Sequence, residues 1–138
     1  MDDANVPSLL SAPFLGYTDV DETVYQDTRA FVLSRMNPWW CEGPVISAVG
    51  STHIRPGAAW PMSSITRVFT SDDDEEITTQ IREILRSTDG LGLIHESVDS
   101  WDSSTWSRQW FTCKSGRGRS WRREALHPCH AVNGICTC

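Results

Sequence analysis

The chain has 138 residues with 12 basic and 18 acidic side chains, a net charge of −6, and this length predicts one small domain. Hydrophobic residues make up 39% and charged residues 22% of the chain, which is typical of a folded protein rather than a disordered one. The acidic balance argues against binding to nucleic acid or anionic membranes. No apolar run approaches the roughly 18 residues of a membrane span. The acidic N-terminus predicts no signal peptide, and the cellular compartment is therefore left open.

Charge and cysteine content divide the sequence near residue 112. Residues 1–112 carry 7 basic and 17 acidic side chains, a net charge of −10, whereas residues 113–138 carry 5 basic and 1 acidic, a net charge of +4. Four of the five cysteines follow this division. The composition therefore predicts an acidic domain over residues 1–112 and a divergent Arg- and Cys-rich tail over residues 113–138, which we expect to be irregular and disordered.

The first predicted helix begins at the acidic segment of residues 19–22, because acidic side chains favour the positive end of the helix dipole. It ends before the Asn-Pro pair of residues 37–38, since the residue before proline is disfavoured in the α region. Residues 38–57 hold several prolines and glycines and are predicted to form a long loop, a kind of segment that is often functional. A second helix is predicted over residues 59–70, with Pro61 tolerated in its first turn.

A third helix is predicted to start at the acidic run of residues 71–76, with Ser71 or Asp72 as its N-cap. A metal site formed by these carboxylates is the alternative, but the amphipathic run that follows at once favours a helix start. Gly90 is expected to end the helix. A polar turn then precedes a further helix predicted from Thr105. Since no segment shows the alternation typical of strands, the sequence predicts an all-α chain.

Five segments resemble, in the same order, blocks of glycoside hydrolase family 125, which contains exo-acting α-1,6-mannosidases and fungal meiotically up-regulated proteins. They are residues 1–10, 56–63 (PGAAWPMS), 70–76 (TSDDDEE), 92–97 (GLIHES) and 108–111 (RQWF). Each segment is short, and their shared order over about 110 residues carries the resemblance.

The resemblance implies a partial (α/α)6 toroid, in which the predicted elements supply about four to five of the family's twelve helices. The chain thus resembles the C-terminal third of the family. The family relationship also implies an inverting glycosidase that acts on a mannose-containing glycan without a metal or a cofactor. In an inverting glycosidase, one carboxylic acid protonates the leaving oxygen and a carboxylate about 6.5–9.5 Å away removes a proton from the attacking water.

The family's general base is a glutamate, and it matches Glu96 of this chain. Glu96 follows a glycine-containing connection, where the backbone can approach a ligand closely. Its neighbour His95 is expected to hydrogen-bond a sugar hydroxyl. A surface glutamate near a helix end is the alternative interpretation. The family's acid, an aspartate, lies upstream of the block that matches residues 1–10, so we expect this chain to lack the acid and to be inactive alone.

The resemblance extends to residues expected to contact the sugar. Asp2 and Asp3 lie in a matched block and are expected to accept hydrogen bonds from mannose hydroxyls; solvated turn residues are the alternative. Trp60 and Trp110 are candidate apolar platforms for a sugar ring, and packing between helices is the equal alternative. His53 lies in the long loop and is a candidate to reach the pocket, against a merely structural role.

The tail permits several interpretations. Cys129, His130, Cys136 and Cys138 are zinc-type ligands, but their spacing differs from the paired knuckles of structural zinc sites. A disulfide would need an oxidising compartment. A cluster of arginines around Trp121 is compatible with RNA or phosphate binding. Because the family match, the charge and the cysteine content all change near residue 112, we favour out-of-frame or read-through translation as the origin of the tail.

Three functional hypotheses follow. The first is a fragment of an exo-α-1,6-mannosidase. The second is a non-catalytic remnant that still binds mannosides. The third is a non-functional truncated gene product, whose uncovered apolar faces would favour self-association. The natural glycan is not identified by any residue pattern in the sequence.

Overall fold

A computed structural model describes residues 2–3, 8–52 and 54–107, and the backbone of residues 131–132 and 135–136. The helical elements are a 3-10 helix (Leu9–Ser11), α1 (Thr23–Val32), α2 (Pro61–Phe69) and α3 (Asp74–Arg86). The strands are β1 (Trp40–Cys41), β2 (Ala48–Val49), β3 (Ala58–Ala59), β4 (Val98–Asp99), β5 (Ala131–Val132) and β6 (Ile135–Cys136).

The strands form three antiparallel pairs, β1 with β2, β3 with β4, and β5 with β6. The sequence predicted an all-α chain with four or five helices. Within the described residues the structure has three α-helices and these short strand pairs, so the all-α prediction is only partly confirmed. A two-residue strand is too short to show alternation, which is why the pairs were missed. The rest of the predicted tail lies outside the described residues.

Helix α1 is shorter than predicted. Its N-cap is Glu22, whose side chain accepts a hydrogen bond from the backbone N–H of Tyr25 at 2.9 Å. The helix buries Tyr25 and Val32. The Tyr25 hydroxyl donates to the Leu10 carbonyl at 3.0 Å, which fixes the 3-10 helix against α1. The chain leaves the helix several residues before the predicted end at Asn37.

Helix α2 begins with Trp60 as N-cap and Pro61 as its first residue, because residue 59 belongs to β3 rather than to the predicted helix. Its buried positions are mostly small hydroxyl residues, including Ser63, Ser64 and Thr66. The Ser63 hydroxyl accepts from the backbone N–H of Val49 in β2 at 3.2 Å. Small residues on this face allow the helix to lie close to the strand.

The N-cap of α3 is Asp73, whose side chain accepts from the backbone N–H of Glu75 at 2.9 Å. The predicted caps Ser71 and Asp72 are therefore wrong by one or two positions. The Ser71 hydroxyl instead accepts from the N–H of Asp73 at 3.2 Å. After the last helical residue, the chain turns through Asp89, which has a φ of 52°. The helix itself ends at Arg86 with Ser87 as its C-cap, and so before the end predicted at Gly90.

The helix predicted from Thr105 does not begin within the described residues. Trp106 instead forms an antiparallel bridge with Val98. The backbone N–H of Asp99 donates to the Thr105 carbonyl at 2.8 Å, and that of Ser107 donates to the Ser97 carbonyl at 3.1 Å. The polar turn thus connects two paired extended segments, because it brings the chain back alongside β4.

The core consists of two apolar clusters between the strand pairs and the helices. The first contains Cys41, Val45, Ile46, Ala48, Ala59 and Val98, and the second contains Leu10, Val32, Val49 and Trp60. Gly43 permits close packing beside the first cluster, since a Cβ on it would lie 2.0 Å from the Ser100 carbonyl oxygen. That oxygen accepts from the backbone N–H of Val45 at 3.0 Å. The clusters fix β3 and β4, which carry the candidate site.

The three helices are joined through the carboxylate of Glu76. It accepts hydrogen bonds from Arg29 of α1 at 2.7 Å, from Arg67 of α2 at 2.8 Å and from the Ser71 hydroxyl at 2.6 Å. These charged side chains are only 14–15% exposed. Burial would raise the pKa of Glu76, but the hydrogen bonds from Ser71, Arg29 and Arg67 outweigh it and lower the pKa. The Glu76 carboxylate is therefore ionised at neutral pH.

Apolar side chains remain exposed on several elements of the described chain. They include Leu9, Phe14, Leu15, Val24, Phe69, Ile81 and Leu85. The last two belong to the predicted amphipathic stripe of α3, whose burial is incomplete. Self-association through such faces stays a prediction. None of the described helices has both the length and the apolar content that a membrane span requires.

Candidate active site

An open cleft of about 460 Å³ lies where β3, β4 and the segment after the polar turn run side by side. The strand register pairs Ala58 with Asp99 and Ala59 with Val98. The bridge from Val98 to Trp106 adds the third segment. The cleft is lined by Ile54, Arg55, Ala58, Glu96, Ser97, Thr105, Trp106 and Ser107. Residues far apart in sequence therefore meet around one space.

The half-buried Glu96 places its carboxylate on the wall of this cleft. Its Oε2 accepts a hydrogen bond from the Ser107 hydroxyl at 3.1 Å. The Ser107 oxygen in turn accepts from the Ser97 hydroxyl at 2.9 Å. This short chain of hydroxyls fixes one oxygen of the carboxylate. A carboxylate oriented in this way at a cleft is suited to accept a proton from a bound water.

Arg55 adds a cationic group to the same cleft. Its guanidinium pairs with Asp99 at 2.6 Å. The Asp99 carboxylate also accepts from the backbone N–H of Trp101 at 2.8 Å and from that of Asp102 at 3.2 Å. The hydrogen bond from Arg55, followed by that from Trp101, lowers the pKa of Asp99. Asp99 is thus held ionised, and it orients Arg55 at the cleft.

His95 lies behind the cleft wall. Its ring stacks on Trp106 with 4.2 Å between the ring centroids and 8° between the planes. Only 1% of His95 is exposed, and neither ring nitrogen has a partner of good hydrogen-bond geometry within the described residues. Burial lowers the pKa of His95, opposed by the Thr88 backbone and by Asp89. The imidazole is therefore neutral at pH 7.

The buried imidazole predicts a pH-dependent stability. Because the folded pKa of His95 lies below its ordinary value of 6.5, the unfolded chain takes up more protons once the pH falls below that value. The free energy of unfolding is therefore expected to decrease from about pH 6.5 downwards, and to be unaffected by this group above it. Urea unfolding at about pH 7.5 and about pH 5.5 measures the loss. His95→Phe, which keeps a ring in the stack, should lose less stability over this interval; equal losses would contradict the prediction.

Asp2 and Asp3, which were predicted to contact the sugar, do not belong to the cleft lining. The Asp2 carboxylate accepts from the backbone N–H of Leu9 at 2.9 Å, and the Asp2 carbonyl accepts from the Asn37 side chain at 2.9 Å. Burial raises the pKa of Asp2. Asp2 thus anchors the start of the 3-10 helix, and neighbouring Asp3 is half-buried.

Trp60 is 4% exposed within the second core cluster. His53 and Trp110 lie outside the described residues.

Sequence reasoning missed Arg55, Trp106 and Ser107, although a polar turn between two β-prone segments was a usable hairpin signal. Among the predicted residues that the structure describes, Glu96 alone lines the cleft, and His95 lies directly behind it. The described residues contain no group of three or more His, Cys, Asp or Glu side chains placed to share a metal ion.

A family model described as metal-independent α-mannosidase (GH125) matches residues 1–116. The chain is 50% identical over 113 residues to the meiotically up-regulated gene 157 protein of Schizosaccharomyces pombe, a match that covers 81% of this chain and 22% of that protein.

The structure is similar to a solved structure from Streptococcus pneumoniae, described as a non-productive complex with α-1,6-mannobiose in work on metal-independent α-mannosidases that process N-linked glycans. The sequence identity is 40% and the TM-score 0.78, with 80% of this chain and 26% of that chain covered. This chain therefore spans about a quarter of the length of the proteins it resembles, and its likeness to a helical toroid concerns that part alone.

Proposed function

Because the chain belongs to the GH125 family of metal-independent α-mannosidases, we propose that residues 1–112 form part of the catalytic domain of an inverting exo-α-1,6-mannosidase. The observation that supports this most directly is the Glu96 carboxylate, held at the cleft by Ser107. The proposed substrate is a glycan with a terminal α-1,6-linked mannose, the linkage of the disaccharide bound by the pneumococcal relative.

In the proposed reaction, Glu96 removes a proton from a water in the cleft. The water oxygen forms a bond to the anomeric carbon while the bond from that carbon to the leaving oxygen breaks. A carboxylic acid on the opposite side of the sugar gives its proton to the leaving oxygen. We propose that this acid comes from the remainder of the toroid, since the chain spans only 26% of the solved relative.

The chain by itself is accordingly proposed to be inactive, because loss of a general acid commonly lowers a rate by about 10²–10⁴-fold. Arg55 is proposed to donate hydrogen bonds to sugar hydroxyls from the cleft. Contacts of the sugar with Asp2, Asp3, His53, Trp60, His95 or Trp110 stay a prediction. For the buried Trp60 and His95, direct contact would require rearrangement of their surroundings.

A chimera tests this proposal. Residues 1–112 of this chain replace the matching segment of the pneumococcal relative, and the chimera is incubated with α-1,6-mannobiose. Proton NMR follows the anomeric signals of the released mannose from the first minutes. Inversion at an α-linkage is expected to give β-mannose first, followed by slow mutarotation. Release of α-mannose before β-mannose would contradict the proposal. A folded chimera that binds mannobiose without hydrolysing it would also contradict it.

A non-catalytic mannoside-binding role is the second candidate. The observation in its favour is that all the described lining residues of the open cleft lie between Ile54 and Ser107 of this chain, which would let the isolated chain contact a mannoside. Saturable binding of mannobiose by the isolated chain, together with no turnover in the chimera, would favour this candidate over the enzyme. A truncated product without function would show neither.

A further inference from the structure

Trp106 is the aromatic side chain that lines the described cleft. It is 37% exposed, whereas the buried Trp60 is 4% exposed. Its backbone is fixed by the bridge to Val98, which is fully buried. The position of the indole is therefore set by the sheet and not by a free loop.

One face of the Trp106 indole is covered by His95. The rings are nearly parallel at a centroid distance of 4.2 Å, and His95 itself is inaccessible to solvent. The exposed surface of Trp106 therefore belongs to its other face and its edges. Trp106 shares the lining of the cleft with Glu96 and Arg55.

This combination is suited to a carbohydrate. A hexopyranose ring has an apolar face of C–H groups and an equatorial rim of hydroxyls. An indole offers a large, rigid apolar surface for the face, and a carboxylate and a guanidinium accept from and donate to the hydroxyls. Because the indole is already stacked on a buried ring, little of its conformational freedom is left to be lost on binding.

We propose that Trp106 is the aromatic wall of the cleft, against which the apolar face of a hexose ring packs. The identity of that hexose as mannose rests on the proposed function, whereas the packing itself does not. Trp106 is then a binding residue that contacts the sugar, and His95 positions it from behind.

The experiment uses the full 138-residue chain labelled with 5-fluorotryptophan and titrated with α-1,6-mannobiose, followed by 19F NMR. The resonances of Trp106 and Trp101 are assigned by their loss from the spectra of the Trp106→Phe and Trp101→Phe variants. Trp101 is the matched control, since it is 73% exposed and does not line the cleft. The Trp106 resonance is expected to shift saturably with mannobiose, and the Trp101 resonance is expected to stay in place.

Binding by the variants provides the second measurement. Trp106→Ala is expected to weaken mannobiose binding by about tenfold or more, Trp106→Phe by less, and Trp101→Ala not measurably. If Trp106→Ala does not fold, the shift in the wild-type chain and the affinity of Trp106→Phe decide the question.

The outcomes separate this proposal from the proposed function. Mannobiose binding without a shift of the Trp106 resonance would overturn the aromatic wall and leave the mannosidase proposal standing. Binding of isomaltose, the α-1,6-linked glucose disaccharide, in place of mannobiose, with a shift at Trp106, would support the wall and contradict the mannosidase. If the chain binds neither disaccharide, the proposal that Trp106 is the aromatic wall is wrong.

Discussion

Glu96→Gln in the chimera is expected to lower the rate of mannose release from α-1,6-mannobiose by about 10²–10⁴-fold, the range for losing a general base. Glutamine preserves the size of the side chain and can still accept a hydrogen bond from Ser107, which lies 3.1 Å from the carboxylate. It cannot take a proton from water at neutral pH. The loss is therefore expected in kcat, with the affinity for mannobiose largely retained.

Glu42→Gln is the matched control for this variant. Glu42 pairs with Arg35 on the surface, where its side chain is 52% exposed, and the cleft lining does not include it. The control should keep the rate of the parent chimera. A Glu96→Gln chimera that retains its rate within a few-fold would show that Glu96 is not the base. An equal loss in both variants would point to damage to the fold.

Glu76→Gln is expected to lower the free energy of unfolding of the chain by about 3 kcal/mol. Removing one member of a buried ion cluster leaves the remaining charges uncompensated, at a typical cost of about 3–5 kcal/mol. Two guanidinium groups, those of Arg29 and Arg67, would be left in this state. The low end of the range applies because the side chains keep 14–15% exposure. Urea unfolding followed by circular dichroism measures the change.

Glu75→Gln provides the comparison one residue away. Glu75 is exposed in the first turn of α3, so its replacement should change the free energy of unfolding by about 0.5 kcal/mol or less. Similar effects of the two variants would mean that the cluster contributes no more to stability than a surface carboxylate.

The contribution of the cluster to stability should depend on pH. The partners of Glu76 lower its pKa below the ordinary 4.5, so the contribution should persist above about pH 4.5 and be lost as the pH falls through the folded pKa.

The helices were the part of the fold that the sequence could predict. Acidic segments located the starts of α1 and α3, and α2 was predicted with Pro61 in its first turn, because these signals are local. Their exact ends and caps were less accurate, as the shift of the α3 cap to Asp73 shows. The strands escaped prediction because each pairs only two residues. The hydroxyl-rich buried face of α2 also has no apolar pattern to detect.

The candidate site divides in a similar way. Glu96 was predicted from the resemblance of a six-residue segment to a family block, and the structure brings it to a cleft. Ser107 and Trp106 were not predicted, because their proximity to Glu96 depends on a hairpin that was interpreted as a turn before a helix. For Asp2 the structure adds a contact that the sequence did not predict, since one oxygen of its carboxylate accepts from the backbone N–H of Leu9.

Rescue of Glu96→Ala by azide is the measurement that tests the central claim most directly. Azide carries no proton that must be removed, so its terminal nitrogen can form the bond to the anomeric carbon while the acid still protonates the leaving oxygen. If Glu96 is the general base, the Glu96→Ala chimera should release almost no mannose from α-1,6-mannobiose in buffer and should form β-mannosyl azide when azide is added, as detected by NMR. Mannose release near the rate of the parent chimera, or no azide adduct from a folded chimera that binds mannobiose, would contradict the assignment.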